Sequence, residues 1–207
     1  MVFAKAPVPG TVKTRLIPAL GVEGAAKLHR RLLWQTLVTA AQLEPPPVGY
    51  LYAAPDTRHG FLRRCARRFR LQLVPQRGAD LGERLANAFD EVLARHRKAL
   101  VIGADCISLT AADLATALQW LEASDAVLGP ALDGGYLLLG LRAPCRALFE
   151  AVPWSGPLVL ATTRQRLRRA NLAWRELAAG YDIDEPPDLQ RLRGDPRFAS
   201  WFPRALD

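Results

Sequence analysis

Short apolar runs of strand length alternate along the chain with longer stretches of helical period. The runs are "VFA" (2–4), "VGYLYAA" (48–54), "RLQLVP" (70–75), "ALVIGA" (99–104), "DAVLGPA" (125–131), "GYLLLGL" (135–141) and "LAWREL" (172–177). Between them, "EGAAKLHRRLLWQTLVTAAQL", "RHGFLRRCARRF", "LGERLANAFDEVLARH" and "AADLATALQWLEA" place apolar residues three and four apart. Strand alternating with helix predicts an α/β fold, a mostly parallel sheet covered on both faces. "ALVIGA" is apolar throughout, as a strand buried on both faces should be.

Breakers fall between these segments. "EPPPVG" ends the first long helix, "APDT" turns the chain after the second strand, and Thr110 is placed to cap the helix that "AADL" begins. After Leu141 the order loosens into two helical pieces joined by a loop containing Pro, Trp and Gly. No linker, repeat or low-complexity stretch divides the 207 residues, which predicts a single domain over 1–207. No apolar run approaches the roughly 18–20 residues of a membrane span, and the first residues lack a secretory pattern, so a cytoplasmic location is expected.

Composition changes this picture little. Half of the residues are hydrophobic and 23% are charged, and the net charge of +8 should attract anions. Much of the excess lies on "RHGFLRRCARRF" and "RQRLRRAN", which read as solvated helix faces without the interleaved aromatics of a single-strand binder. No nucleic-acid partner is expected. Cys65, Cys106 and Cys145 form no metal or disulfide pattern and read as reduced thiols. His29, His59 and His96 lie on stretches that read as solvated helix, and no nucleophile–base order emerges.

Candidate chemistry therefore concentrates in the segments that follow the strands, where open parallel sheets bind ligands. The first is "FAKAPVPGTVKTRL", in which Gly10 permits close backbone approach and Lys13 and Arg15 suit phosphate oxygens; Ala4 and Lys5 stand at the strand end. A plain basic turn is the alternative. In "GADCISLT", Asp105 follows the most apolar strand, where a carboxylate must be hydrogen-bonded, paired or metal-bound; it either caps the next helix or holds Mg2+ or Mn2+ beside Lys13. "LDGGY" is a strong turn signal between two strands, or a place where substrate lies against Gly134, Gly135 and Tyr136 with Asp133 turned toward it. "YDIDEPPDL" supplies Asp182 and Asp184, one available to cap a helix and the other to hold a metal. Trp154 either lines an acceptor pocket or fills the core.

Taken together, "FAKAPVPGTVKTRL", "GADLGERLANAF", "GADCISLTAADL", "LGPALDGGYLLLGL", "VPWSGPLVLATTRQRL" and "YDIDEPPDL" resemble the bacterial selenodomain-associated glycosyltransferase family. That family lies within the nucleotide-diphospho-sugar transferase superfamily of GT-A fold, and the likeness spans nearly the whole chain. The resemblance implies a three-layer α/β/α sandwich and a divalent metal. It also places a nucleotide on Gly10, Lys13 and Arg15, base contacts at Asp80, Leu81 and Gly82, a metal aspartate at Asp105 and a second at Asp184, or less surely Asp182. Two departures stand out: relatives usually carry Pro after the Asp-Cys pair, where this chain has Ile107 and Ser108, and the first strand is nearly absent. The loop beside Asp105 is accordingly expected to be loose.

The resulting expectation is a metal-dependent transferase using a nucleotide or nucleotide sugar and a small-molecule acceptor. Glycosyl transfer leads, nucleotidyl transfer with pyrophosphate release is the alternative, and a non-catalytic nucleotide-binding module is a third possibility. Lys13 and Arg15 would stabilise charge on the phosphates and Asp105 and Asp133 would complete the catalytic set. Replacement of Lys13, a loop cation, should then affect activity more than stability.

Overall fold

The computed structural model describes residues 1–154 and 156–201. Seven strands form one sheet: β1 (Val2–Lys5), β2 (Tyr50–Ala54), β3 (Gln72–Pro75), β4 (Ala99–Gly103), β5 (Ala126–Pro130), β6 (Tyr136–Leu141) and β7 (Trp174–Glu176), in the order β3-β2-β1-β4-β6-β5-β7. All neighbours are parallel except β6, which runs antiparallel to both β4 and β5. "LDGGY" is thus the turn of a hairpin, with Asp133 accepting from the Gly135 amide at 2.9 Å. The first strand is short but formed: Val2–Lys5 pair with β2 on one side, and Val2 and Phe3 pair with β4 on the other.

Side chains alternate across the sheet and sort the helices into two layers. Val2, Ala4, Leu51, Ala53 and Ile102 meet α1 (Ile17–Ala40), α2 (Gly60–Arg68) and α4 (Ala111–Trp120). Tyr50, Tyr52, Ala99, Val101 and Leu139 meet α3 (Leu81–Leu93) and α5 (Val159–Arg169). The result is a three-layer α/β/α sandwich, and α6 (Pro186–Gly194) adds a smaller core through Ile183, Leu189 and Leu192 against Leu16, Leu28 and Leu32. Of the two helical pieces expected after Leu141, the first is only a 3-10 turn, Arg146–Leu148, in a segment whose Pro and Gly residues stop propagation. Among the described residues no helix is long and apolar enough to cross a membrane.

The strand order places the site. From β1 the chain crosses to β2 and β3 on one side, and the next crossover returns to β4 on the other side of β1. The connections therefore diverge at the carboxyl ends of β1 and β4, leaving a crevice at that reversal.

Candidate functional site

Two loops meet in that crevice. The first leaves β1 through a tight turn in which the Thr11 amide donates to the Val8 carbonyl at 3.1 Å. Gly10 sits at φ 81° with no neighbour nearer than Val22, so its glycine answers a backbone need and not a lack of space. Lys13 follows at φ 49° and ψ 41°, a left-handed conformation uncommon for lysine and of the kind that collects at functional sites. This turn aims the Lys13 ammonium inward: although on a loop, the residue is only 9% exposed.

The second loop carries Asp105 two residues past β4. Gly103 leaves room for it, since a Cβ there would lie 3.0 Å from both Asp105 Oδ1 and Cys106 Sγ. Lys13 Nζ donates to Asp105 Oδ2 and lies 3.4 Å from Asp184 Oδ1. Arg15, half exposed, donates to Asp184 Oδ2 at 2.8 Å and to Glu185 Oε1 at 3.3 Å. Three segments distant in sequence therefore converge as one network of cations and carboxylates.

The electrostatics follow from this packing. Burial works against the Asp105 charge, but the Lys13 ammonium outweighs it and holds the carboxyl below its usual range. Burial likewise works against charge on Lys13, yet Asp105, with Asp184 and Asp182 behind it, keeps the ammonium protonated beyond its ordinary range. Asp182 has the opposite balance. Burial and the nearby Asp105 charge push its carboxyl up to about 7. No hydrogen bond or ion pair to its carboxylate is present among the described residues.

The structure assigns helix capping to other residues. Thr110 caps α4, accepting from the Asp113 amide at 3.1 Å while Asp113 returns a bond to the Thr110 amide at 2.8 Å, so Asp105 has no capping duty. At α6 the N-cap is Glu185, and Asp188 accepts from the amides of Asp184 and Glu185 at 3.0 and 2.8 Å. Neither Asp182 nor Asp184 caps that helix.

The other sequence candidates are placed as follows. Ala4 is buried within β1, and the Lys5 side chain is exposed while its carbonyl accepts from His29 Nε2 at 3.0 Å. Asp80 caps α3 by accepting from the Glu83 amide at 2.9 Å, and Leu81 is exposed. Gly82 is buried against the loop before α5; a Cβ there would lie 2.4 Å from the Phe149 carbonyl and 2.9 Å from Trp154 Nε1. Trp154 packs beside the α3-side core and edge-on to Tyr136, with ring centroids 6.4 Å apart. Gly134, at φ 89°, lies against Pro157, and its carbonyl accepts from the Leu160 amide at 2.9 Å. Asp133 is exposed at the hairpin tip, yet its charge reaches Asp182.

Three histidine readings change. His29 is buried at 5% exposure on the inner face of α1, because the helix lies across the end of β1 and the Lys5 carbonyl needs a donor there. Burial lowers its pKa, so the ring is neutral, and Nδ1 has no partner. His59 caps α2 by accepting from the Phe61 amide, and His96 is hydrogen-bonded to the Tyr50 hydroxyl at 2.9 Å. Cys106, whose thiol burial pushes far up, donates to the Leu137 carbonyl at 3.4 Å and is no nucleophile. Further up α1, Thr36 Oγ1 donates to the Ala104 carbonyl at 3.3 Å, so residues seven apart on one helix pin the ends of β1 and β4. The spacing of His29 and Thr36 was visible in the sequence, but its meaning required knowing which strands α1 crosses.

Among the described residues no three His, Cys, Asp or Glu side chains cluster tightly enough to hold a metal unaided. Two hard carboxylates beside anchoring cations are nonetheless what Mg2+ or Mn2+ uses when substrate phosphates complete its shell. Asp105 and Asp184, beside Lys13 and Arg15, are two such carboxylates, and Asp182 is a further one with no hydrogen bond or ion pair among the described residues.

The fold recurs in solved structures. A candidate nucleotide-diphospho-sugar transferase from Desulfovibrio desulfuricans G20 is 29% identical, with a TM-score of 0.85 over 96% of this chain and 90% of that one. CMP:2-keto-3-deoxy-manno-octonic acid synthetase, solved with CTP, shares the fold at 13% identity and a TM-score of 0.61 over 97% and 98% of the two chains. A cytidylyltransferase from Leptospira borgpetersenii serovar Hardjo-bovis does so at 12% and 0.61, over 97% and 85%. The chain thus has a transferase fold of the nucleotide-diphospho-sugar type. No curated protein matches the sequence. Residues 37–156 match the model of the proteins described as uncharacterized and conserved in bacteria, DUF2064, and the chain belongs to that family.

Proposed function

We propose that this protein is a divalent-metal-dependent transferase that takes its group from a nucleotide-linked donor, with glycosyl transfer from a nucleotide-diphospho-sugar as the leading reaction. The observation that carries the reading is the network at the β1 and β4 ends: Lys13 paired with Asp105 and near Asp184, and Arg15 paired with Asp184. Such a set binds a phosphate chain through its cations and a hard metal through its carboxylates. The likeness to the Desulfovibrio protein supports the donor class.

In this reading Gly10 lets the backbone approach the phosphates, Lys13 and Arg15 take the phosphate oxygens, and Asp105 with Asp184 or Asp182 holds Mg2+ or Mn2+. The ion supplies charge neutralisation and Lewis acidity at the phosphoryl oxygens when bound. The exposed Asp80–Leu81 corner at the start of α3 faces the base, with buried Gly82 serving helix packing. A small-molecule acceptor would enter beside Asp133, Gly134, Gly135 and Tyr136, with Trp154 as support.

Nucleotidyl transfer is the second reading, favoured by the paired cations Lys13 and Arg15, which suit a triphosphate. Incubation with Mg2+, nucleotide sugars and nucleoside triphosphates separates the two. Release of the nucleoside diphosphate from a sugar nucleotide supports the first; pyrophosphate release from a triphosphate and an acceptor, with no sugar-nucleotide turnover, replaces it with the second. Nucleotide affinity indifferent to Mg2+ and to Asp105→Asn removes both in favour of a binding module.

A further inference from the structure

The loop after Asp105 is held, not loose. The Ile107 amide donates to the Asp105 carbonyl at 2.9 Å, the Leu109 amide to the Cys106 carbonyl at 3.2 Å, and Ile107 is buried in the core that α6 forms with α1. Ser108 goes further, because its hydroxyl leaves its own loop. It donates to the Tyr181 carbonyl at 2.6 Å and accepts from the Tyr181 amide at 2.9 Å. One side chain thus satisfies both backbone groups of a residue 73 positions away.

Tyr181 immediately precedes Asp182 and lies three residues before Asp184, while Ser108 lies three residues after Asp105. The chain on the Tyr181 side is shaped to accept the hydroxyl. A Cβ on Gly180 would come within 2.6 Å of Ser108 Oγ and 2.7 Å of Leu137 Cδ1, so a side chain there would drive the loops apart. The Gly180 amide donates to the Pro130 carbonyl at 2.9 Å and its own carbonyl accepts from the Leu132 amide at 2.9 Å, which anchors this segment to the end of β5. With one loop anchored to the sheet through β4 and the other through β5, the Ser108 hydroxyl ties the first loop directly to the backbone of the second.

We propose that Ser108 is a positioning residue that sets the separation of Asp105 from Asp182 and Asp184. The proposal deepens the metal-site reading above and rests on it for its functional meaning. Loss of the hydroxyl leaves the Tyr181 amide and carbonyl without their partner and releases the second acidic loop from the first, so carboxylates must be gathered again whenever a cation binds.

Titration of Mn2+ into the full chain, followed by electron paramagnetic resonance, tests this together with the ammonium resonance of Lys13, which Asp105 and Asp184 share in the free protein. In Ser108→Ala, Mn2+ affinity should fall about fivefold or more, and the Lys13 resonance should move as Asp184 withdraws. A variant that melts earlier but keeps both Mn2+ affinity and the Lys13 resonance would overturn the proposal, since only stability would then depend on Ser108. Should the unaltered protein bind no Mn2+, the metal reading fails by itself, and the Lys13 resonance still decides the role of Ser108. If Ser108→Ala does not fold, Gly180→Ala pries the same link open and should produce the same two changes; their absence would overturn the proposal equally.

Discussion

Lys13 and Asp105, 92 residues apart in sequence, form an ion pair at the junction of β1 and β4 in which the lysine is buried and the aspartate partly so. With Asp184 Oδ1 at 3.4 Å, the one ammonium is shared between two carboxylates, the second of which also pairs with Arg15. Lys13, although on a loop, is therefore part of the packed structure, so its replacement should affect stability as well as activity. Lys13→Ala would leave a partly buried carboxylate without its main partner and should cost about 2 kcal/mol. Thermal unfolding should show a fall of several degrees, and Mg2+ should stabilise the variant more than the parent because the ion replaces the lost charge. Equal melting of variant and parent without metal would contradict the buried pairing.

Arg15 behaves differently because it is half exposed. Its pairs with Asp184 and Glu185 should contribute under about 1 kcal/mol, so Arg15→Ala should melt almost as the parent does. Nucleotide affinity by calorimetry should nevertheless drop about tenfold, near 1.4 kcal/mol. An unchanged affinity would remove Arg15 from the phosphate site.

Asp182 predicts a pH dependence. Its folded carboxyl titrates near 7 against an ordinary 3.8, so between those values the folded chain holds a proton that the unfolded chain has released. Stability then declines as pH rises through that window and stays reduced above it. Asp182→Asn escapes this decline: its melting temperature should match the parent near pH 3.8 and exceed it by several degrees above about pH 7. Mg2+ should narrow the gap at the higher pH. Parallel melting curves across the window would show that Asp182 is not strained in the free protein.

His29 predicts the acid side. Burial lowers its pKa below the ordinary 6.5, so the unfolded chain takes up the proton first and stability is lost as pH falls below that value. His29→Gln keeps a donor for the Lys5 carbonyl but cannot protonate, and its melting temperature should fall less than the parent's between about pH 6.5 and 5. Identical slopes would show that His29 is not buried neutral.

Gly134 tests the docking of the hairpin on the segment before α5. It combines φ 89° with a virtual Cβ only 2.1 Å from the Pro157 carbonyl, so Gly134→Ala should cost at least about 2 kcal/mol. Denaturant unfolding measures it, and a cost under about half that would mean that the two loops separate easily.

The chain's apolar pattern by itself pointed to the seven strands, the main helices and a sheet covered on both faces, because burial on both faces leaves short continuous apolar runs on strands and a three-to-four signature on the helices that cover them. Asp105 was legible because a carboxylate just past a buried strand needs a partner, and Lys13 and Arg15 because cations in a glycine-containing loop after a strand suit anionic oxygens. The sequence resemblance pointed to the same positions. What only the tertiary structure decided is who that partner is. Antiparallel insertion of β6 between β4 and β5, the inward turn of His29, and the attachment of Ser108 to Tyr181 all depend on which elements become neighbours. Asp182 and Asp184 look alike in "YDIDEPPDL", yet one lies beside Arg15 and Lys13 while the other faces Asp105 without a hydrogen bond of its own. Their difference arises from a few ångströms of packing between distant loops, and local residue patterns carry no record of such distances.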